Sequence, residues 1–287
     1  MATLKNKKER SEWLSRAIAA EKPVPFTEDF KPADRGGTIV FEAGSFKAWL
    51  ESVMPDYMSL PSIAANGSFS TSSKDNVKIG DKFYLGRRRM DITEFVYPFP
   101  FASHAIEQRA RLSVHSGGKT SYCAFSATVY IPLLHDGRST WMSLTPNEVL
   151  TQRKLVKYAK GDVAIAGMGM GWLPLRVLQQ PRVKSLTVVD IDNNVLSYFG
   201  NRLKKAAEEV GKKLQLVNED AYRYDWMQHD QGLWDIWLGM NDGSDDAKFW
   251  RICRRMRDAG KSCHGWYTVK PTDYCERKIK KLESEEQ

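Results

Sequence analysis

The 287-residue sequence has few of the residues that build metal sites or disulfide frameworks. It contains four cysteines and five histidines, none of them at Cys-x-x-Cys, His-x-x-x-His or Glu-x-x-His spacing. Because zinc sites are typically built from ligands at such short spacings, no metal ion is predicted. We expect the cysteines to be free thiols in a reducing compartment. They are Cys123, Cys253, Cys263 and Cys275.

Long apolar runs are also absent. The longest, such as DVAIAGMGMGW at 162–172, fall well short of the roughly 20 residues that span a bilayer. The basic N-terminal stretch MATLKNKKERSEWL is not followed by an apolar segment, unlike a secretory signal. We therefore expect a cytoplasmic protein with no membrane partner. The hydrophobic content of 42%, with nine tryptophans, excludes bulk disorder and predicts a sizeable core.

Positive charge is in excess, with a formal net charge of +8. Such a balance is compatible with an anionic partner, for example a nucleic acid or a phosphate-bearing acceptor. Basic residues are dense at 87–89 (RRR) and at 250–261 (WRICRRMRDAGK). A solvated basic face is the simpler interpretation of both. In the second segment Trp250, Cys253 and Met256 recur at helical spacing, which predicts a buried stripe.

The first half of the chain predicts a helix and a β-rich region. Residues 1–35 are expected to form an N-terminal helix and a loose arm, and residues 36–142 a small β-rich domain. Within that domain a polar loop near 60–80 is rich in Ser, Asn and Gly, and we hypothesise that it acts as a lid. Strand-like runs over 81–142 predict an antiparallel sheet or small barrel, with the first two strands flanking the arginines at 87–89.

Strands and helices alternate from residue 143 onward, which predicts an α/β fold with a doubly wound, mostly parallel sheet over residues 143–270. Thr145 and Glu148 form a capping box for a first helix that is expected to end at Gly161. A charged helical tail is predicted for 271–287. The strands are predicted at 162–167, 185–191, 214–219, 234–239 and, weakly, 262–269.

Three glycines follow the first strand of this sheet at alternate positions: Gly167, Gly169 and Gly171. Each glycine costs backbone entropy on folding. They therefore form either a tight strand-to-helix turn or a backbone that approaches a ligand too closely for a Cβ atom. In doubly wound sheets, ligands bind at the carboxyl ends of the strands, facing helix N-termini.

Acidic residues end the next two strands. Asp190 lies nineteen residues after Gly171, where a carboxylate can hold a ribose diol. Asp192 precedes two asparagines and is expected to cap a helix. Asp220 follows the third strand, where its carboxylate could accept from an adenine amino group while the N–H of Ala221 donates to a ring nitrogen. A turn aspartate is the alternative interpretation of Asp220.

Together the glycines and the acids resemble the class I S-adenosylmethionine-dependent methyltransferases. The run DVAIAGMGMGWLPLRVLQQPRVKSLTVVDIDNNVL at 162–196 is most similar to spermidine synthase-like proteins, and the resemblance extends over roughly 130–243. It implies a Rossmann-like fold, S-adenosylmethionine as cofactor and a homodimer as one expected assembly. It also implies cofactor contacts at Gly167, Gly169 and Gly171 on the methionine and ribose side, at Asp190 on the ribose hydroxyls, and at Asp220 and Ala221 on the adenine.

The sequence departs from the spermidine synthase pattern where that family holds its amine substrate. Met170 occupies a position that is acidic in the family, and Gly239 replaces the first acid of an Asp-x-x-Asp motif whose second is Asp242. A cationic amine needs nearby negative charge and a base, so methyl transfer is favoured. Asn241 and Asp242 are the predicted catalytic residues, orienting the acceptor or acting as general base. Helix capping is the alternative for Asp242.

Several alternatives remain open. The leading hypothesis is an S-adenosylmethionine-dependent methyltransferase whose acceptor is unknown. The others are a spermidine synthase-like aminopropyltransferase and a non-catalytic nucleotide-fold protein that binds nucleic acid. Four aromatic residues near predicted strand ends either contact adenine, shape the substrate pocket or pack in the core. They are Trp141, Trp172, Tyr222 and Trp237.

The predicted sheet is shorter than that of the family it resembles. The family sheet has seven strands and ends in an antiparallel hairpin, for which no room is left after 262–269. Either the sheet is truncated or an N-terminal segment completes it.

Overall fold

The computed structural model describes residues 7–31, 37–63, 77–95, 121–137, 140–236, 244–265 and 273–285. Contacts between Cα atoms divide the chain into two compact units, with the boundary between Leu150 and Thr151. None of the helices in the described ranges combines the length and the apolar character needed to cross a bilayer. The predicted domain limits remain predictions.

The described residues of the first half form two α-helices and six strands. They are α1 (Lys7–Ala20), β1 (Thr38–Phe41), α2 (Ala43–Val53), β2 (Ser62–Ile63), β3 (Val77–Ile79), β4 (Phe83–Phe95), β5 (Ser121–His135) and β6 (Thr140–Ser143). The second half contains five helices and five strands within its described residues. They are α3 (Pro146–Tyr158), β7 (Gly161–Ala166), α4 (Trp172–Leu178), β8 (Val183–Asp190), α5 (Asn193–Glu209), β9 (Lys213–Asn218), β10 (Gln231–Trp234), α6 (Ser244–Asp258), β11 (Ser262–Gly265) and α7 (Asp273–Glu285).

The sheet of the first unit is mixed. The long strands β4 and β5 pair antiparallel, and β3 and β6 add to them antiparallel. The strands within 81–142 pair antiparallel as predicted, whereas β1 and β2, from outside that range, join β5 and β4 in parallel. The predicted polar loop near 60–80 contains strand β2 near its beginning and strand β3 near its end. Residues 64–76 of that loop, and so its predicted role as a lid, lie outside the described residues.

The arginines at 87–89 lie inside β4, so the predicted break between two strands is wrong. Their backbones pair with β5, with Arg87 opposite Pro132 and Arg89 opposite Tyr130. The Arg87 guanidinium lies 4.9 Å from the centre of the Tyr130 ring. Long aliphatic stems and ring contacts of this kind allow arginine to occupy a sheet.

The second unit contains a five-stranded parallel sheet in the order β11-β10-β7-β8-β9. β8 and β9 follow β7 to one side, while β10 and β11 are added on the other side. Since such crossover connections are right-handed, this reversal places helices on both faces of the sheet. The predicted doubly wound, mostly parallel fold is therefore confirmed.

Two boundaries in the second unit differ from the prediction. Helix α3 ends at Tyr158 rather than Gly161, because Gly161 adopts a φ of +73° at the start of β7. The fourth strand is Gln231–Trp234 rather than 234–239. Gly232 fits this strand because a Cβ there would lie 3.1 Å from the Trp226 ring and 3.2 Å from the Met256 sulfur. In the described part of the chain β11 is the edge strand next to β10, and β9 is the edge strand on the other side of the sheet.

Candidate functional site

The glycine turn links β7 to α4 through left-handed backbone. Gly167, Gly169 and Gly171 have φ values of +96°, +52° and +80°, which L-residues with side chains rarely adopt. A Cβ on Gly167 would also lie only 2.9 Å from the carbonyl oxygen of Asp235. The turn and the close approach of the chain after β10 are therefore both reasons for glycine here.

Asp190 fixes this turn from the neighbouring strand. One carboxylate oxygen accepts from the N–H of Met168 and the other from the N–H of Asp192, each at 2.8 Å. The amide of Asn218 donates to the carbonyl oxygens of Asp190 and Ile191 at 3.0 and 2.9 Å. Both oxygens thus fix the backbone of the turn, and a carboxylate offers about four acceptor positions in all.

Ile191 follows this acid and is 74% exposed. It stands at the carboxyl end of β8, where an apolar side chain can contact the face of a base. It could not be predicted as a site residue, because exposure at a strand end leaves no periodic pattern in the sequence. The predicted cap at Asp192 is confirmed, since its carboxylate accepts from the N–H groups of Asn194 and Val195.

Asp220 and Ala221 lie directly beyond β9. A carboxylate oxygen of Asp220 accepts from the N–H of Tyr222 at 2.9 Å, so the side chain stabilises a turn. The buried Ala221 is held by its carbonyl oxygen, which accepts from the Trp226 indole N–H at 2.7 Å. The turn interpretation of Asp220 is thus correct, while contact of Asp220 and Ala221 with adenine remains a prediction.

A third carboxylate, Asp235, was not predicted to be part of the site. Its N–H donates to the carbonyl oxygen of Ala166 at 2.9 Å, and its side chain accepts from the amide of Gln152 at 2.8 Å. Gln152 lies in α3 and is 1% exposed. Because β10 ends at Trp234, Asp235 lies between the carboxyl ends of β7 and β10. There the strand order reverses, and ligands bind to such sheets at this point.

The two predicted catalytic residues, Asn241 and Asp242, lie outside the described residues, as do Gly239 and Trp237. Met170 is only 2% exposed. It therefore contributes apolar packing at the position that is acidic in the spermidine synthase pattern.

The remaining aromatic candidates lie in different surroundings. Trp172 is buried at the start of α4, and the Tyr222 ring centre is 5.5 Å from that of Trp234. Trp141 is 52% exposed in the first unit. Core packing therefore accounts for Trp172 and for the ring of Tyr222.

The thiols and acids of the described ranges form no group suited to a metal ion. Cys123 and Cys253 are buried and Cys263 is half-buried, and all three are free. Burial raises the pKa of the Cys123 and Cys253 thiols well above its usual value. Both are therefore poor nucleophiles.

No family model matches the sequence, and no curated protein is found to be similar to it. Solved structures do resemble parts of it. A spermidine synthase from Thermotoga maritima is 16% identical, with 53% of this chain and 55% of that chain covered and a TM-score of 0.33. An S-adenosylmethionine-dependent methyltransferase from Clostridium acetobutylicum is 16% identical, with 37% and 42% covered and a TM-score of 0.26. A dimethyladenosine transferase from Plasmodium falciparum is 22% identical, with 33% of each chain covered and a TM-score of 0.27.

This chain therefore spans between a third and about half of the length of these three proteins. Methyltransferases and spermidine synthases are also the proteins that the glycine and aspartate pattern resembles.

Proposed function

We propose that this protein binds S-adenosylmethionine and transfers its methyl group to an acceptor. The observation that carries the proposal is the position of the Asp190 carboxylate. It lies between the glycine turn after β7 and the exposed Ile191, at the carboxyl ends of adjacent parallel strands. A rigid acid beside an apolar surface suits a nucleoside, whose hydroxyls donate and whose base is flat.

The residues around Asp190 fit the rest of such a ligand. Gly169 and Gly171 have no side chain, so a ligand can approach the backbone closely at these two positions. The Asp235 carboxylate adds negative charge on the side of β10, where a cationic centre would be stabilised. When bound, the cofactor supplies a methyl group that is already activated on a sulfonium. The protein then mainly has to align the acceptor with that methyl group and exclude water.

Calorimetric titration with S-adenosylmethionine and, separately, S-adenosylhomocysteine tests the proposal. We expect micromolar binding to the wild type and a loss of at least about tenfold in Asp190→Asn, because hydrogen bonds to a charged group are replaced by weaker ones. Asp192→Asn is the matched control. It removes the same charge two residues away, and asparagine is an equally good helix cap. Absence of binding to either ligand by the folded wild type would refute the proposal.

Asn241 and Asp242 are proposed to orient the acceptor or accept its proton. Asp242→Asn is then expected to lower kcat while the affinity for S-adenosylhomocysteine stays unchanged. An unchanged kcat would favour the capping role. Turnover of decarboxylated S-adenosylmethionine with an amine, in place of methyl transfer, would instead support aminopropyl transfer.

A further inference from the structure

A cavity of about 240 Å³ lies beside β11 in the second unit. It is lined by residues of α3, α6 and β11, among them Lys154, Tyr158, Trp250, Cys263 and His264. None of these residues belongs to the candidate cofactor site. The volume is below the roughly 300–1,000 Å³ of sites for drug-sized ligands, so it suits a single ring system.

The cavity reaches around the outer edge of the sheet. Consecutive residues of a strand point to opposite faces. The Cys263 sulfur lies on the face covered by α6, where it interacts with Cys253. The His264 ring stacks on Tyr158 of α3 on the other face, with ring centres 4.4 Å apart and planes at 25°. Among the described strands β11 pairs only with β10.

One residue that lines the cavity carries a hydrogen-bond donor that lacks an acceptor. The Trp250 indole nitrogen is buried and has no hydrogen-bond partner within the described part of the protein. A buried N–H without a partner costs free energy. A ligand that presents an acceptor atom here would remove that cost.

The charges that act on the His264 ring of the cavity are positive. Burial lowers the pKa of His264, and Lys154 and Lys160 lower it further, so the imidazole is neutral at neutral pH. The Lys154 ammonium lies 5.7 Å from the Tyr158 ring centre. Of the described residues that line the cavity, none is acidic. Stacked aromatic rings, an indole donor and an ammonium group together match a nucleobase with its phosphate.

The cavity also lies on the same side of β7 as β10, which is the side where an acceptor is expected. Asp190 and Ile191 would hold the nucleoside of the cofactor over β8, so its reactive end points toward β7 and β10. β11 is the next strand beyond β10 and therefore about 10 Å from β7. A strand that seats one base at β11 could extend from there toward the reactive end of the cofactor.

We propose that this cavity binds a base of a single-stranded nucleic acid, and that such a strand is the methyl acceptor. The second part of the inference rests on the proposed function. Stacking against Tyr158 and His264 holds the base, the Trp250 indole donates to it, and Lys154 contacts the adjacent phosphate.

Fluorescence anisotropy with a labelled single-stranded RNA of about ten nucleotides, a usual footprint, tests binding. We expect Tyr158→Leu to weaken binding about tenfold through lost stacking. Trp250→Phe, which keeps a ring but removes the donor, is expected to weaken it about fivefold. Lys154→Met should also reduce the slope of log affinity against log salt by about 0.7. Lys157→Met is the matched control, since it removes one charge from the same helix outside the cavity.

Two results would overturn the cavity assignment. The first is RNA binding that is unchanged in both Tyr158→Leu and Trp250→Phe, provided that thermal melts show both to be folded. The second is adenosine monophosphate that binds as tightly as the oligonucleotide, because the ligand would then be a free nucleotide.

Calorimetry with S-adenosylhomocysteine on the same variants separates this inference from the proposed function. We expect the three cavity variants to keep wild-type affinity for S-adenosylhomocysteine while their affinity for the RNA decreases. A wild type that binds S-adenosylhomocysteine but no RNA overturns the cavity inference alone. A wild type that binds RNA through Tyr158 and Trp250 but no cofactor supports the cavity and overturns the proposed function and the acceptor role.

Discussion

The N–H of Met168 donates to a carboxylate oxygen of Asp190 over 2.8 Å, so the side chain that ends β8 holds the turn that follows β7. We therefore predict that Asp190→Ala lowers the free energy of unfolding by about 1–3 kcal/mol, the usual cost of leaving buried donors unpaired. Urea denaturation measures it. Asp192→Asn keeps its cap and should change stability by less than about 0.5 kcal/mol. Equal stability of Asp190→Ala and the wild type would show that the turn keeps its conformation without the Asp190 carboxylate.

Two glycines of the turn, Gly167 and Gly171, should differ in their tolerance of alanine. Gly167→Ala combines a φ of +96° with a Cβ placed 2.9 Å from the Asp235 carbonyl oxygen, so we predict a loss above about 2 kcal/mol. Gly171→Ala has a similar φ, but its nearest neighbour would be 3.8 Å away, so about 1 kcal/mol is expected. Gly44→Ala in helix α2, with nothing within 4 Å, serves as control and should be neutral or stabilising. If Gly167→Ala lowers the free energy of unfolding no more than Gly171→Ala does, the close approach of Gly167 to the Asp235 carbonyl is contradicted.

Glu148 should make stability depend on pH in an unusual direction. Burial raises the pKa of this carboxyl from 4.5 to about 7. Between these values the folded protein binds more protons than the unfolded chain. Stability therefore decreases as pH rises from about 4.5 to about 7, by on the order of 2 kcal/mol. Glu148→Gln should remove this slope in urea unfolding measured across that range, and an unchanged slope would assign the dependence to another group.

The tail helix α7 is predicted to be attached mainly by apolar contact. Ile279 is fully buried, whereas the ion pair between Arg254 of α6 and Glu276 of α7 is part-exposed. Ile279→Ala is expected to cost about 2–4 kcal/mol, and Glu276→Gln no more than about 1 kcal/mol. Limited proteolysis of the tail, together with urea unfolding, compares the two variants. The reverse order of effects would mean that charge holds the helix.

The features that were correctly predicted have local causes. Asp192 is followed by the helix that it caps, and β7 and β8 are apolar runs bounded by glycine and aspartate. The turn at 167–171 could be placed because glycine at alternate positions has few other uses.

The features that were missed depend on residues distant in sequence. β10 was placed too late because Gly232 has low strand propensity, and only the ring of Trp226 and the sulfur of Met256 explain it. That shift also concealed Asp235. Arginines 87–89 read as a break because their partners on β5 are not their sequence neighbours.

The position of Asp235 beside Gly167 has a consequence for how the protein acquires its binding site during synthesis. The turn, Asp190 and Ile191 all emerge from the ribosome before residues 231–235. These later residues lie on the other side of β7 at the candidate site. Because β7 and β10 are joined by the whole of 167–230, their pairing is a slow, non-local step. A nascent chain that ends before β10 therefore has Asp190 and the glycine turn but lacks the β10 side of the candidate site. Ligand binding, which stabilises only the state that binds it, should thus select chains in which this pairing is complete.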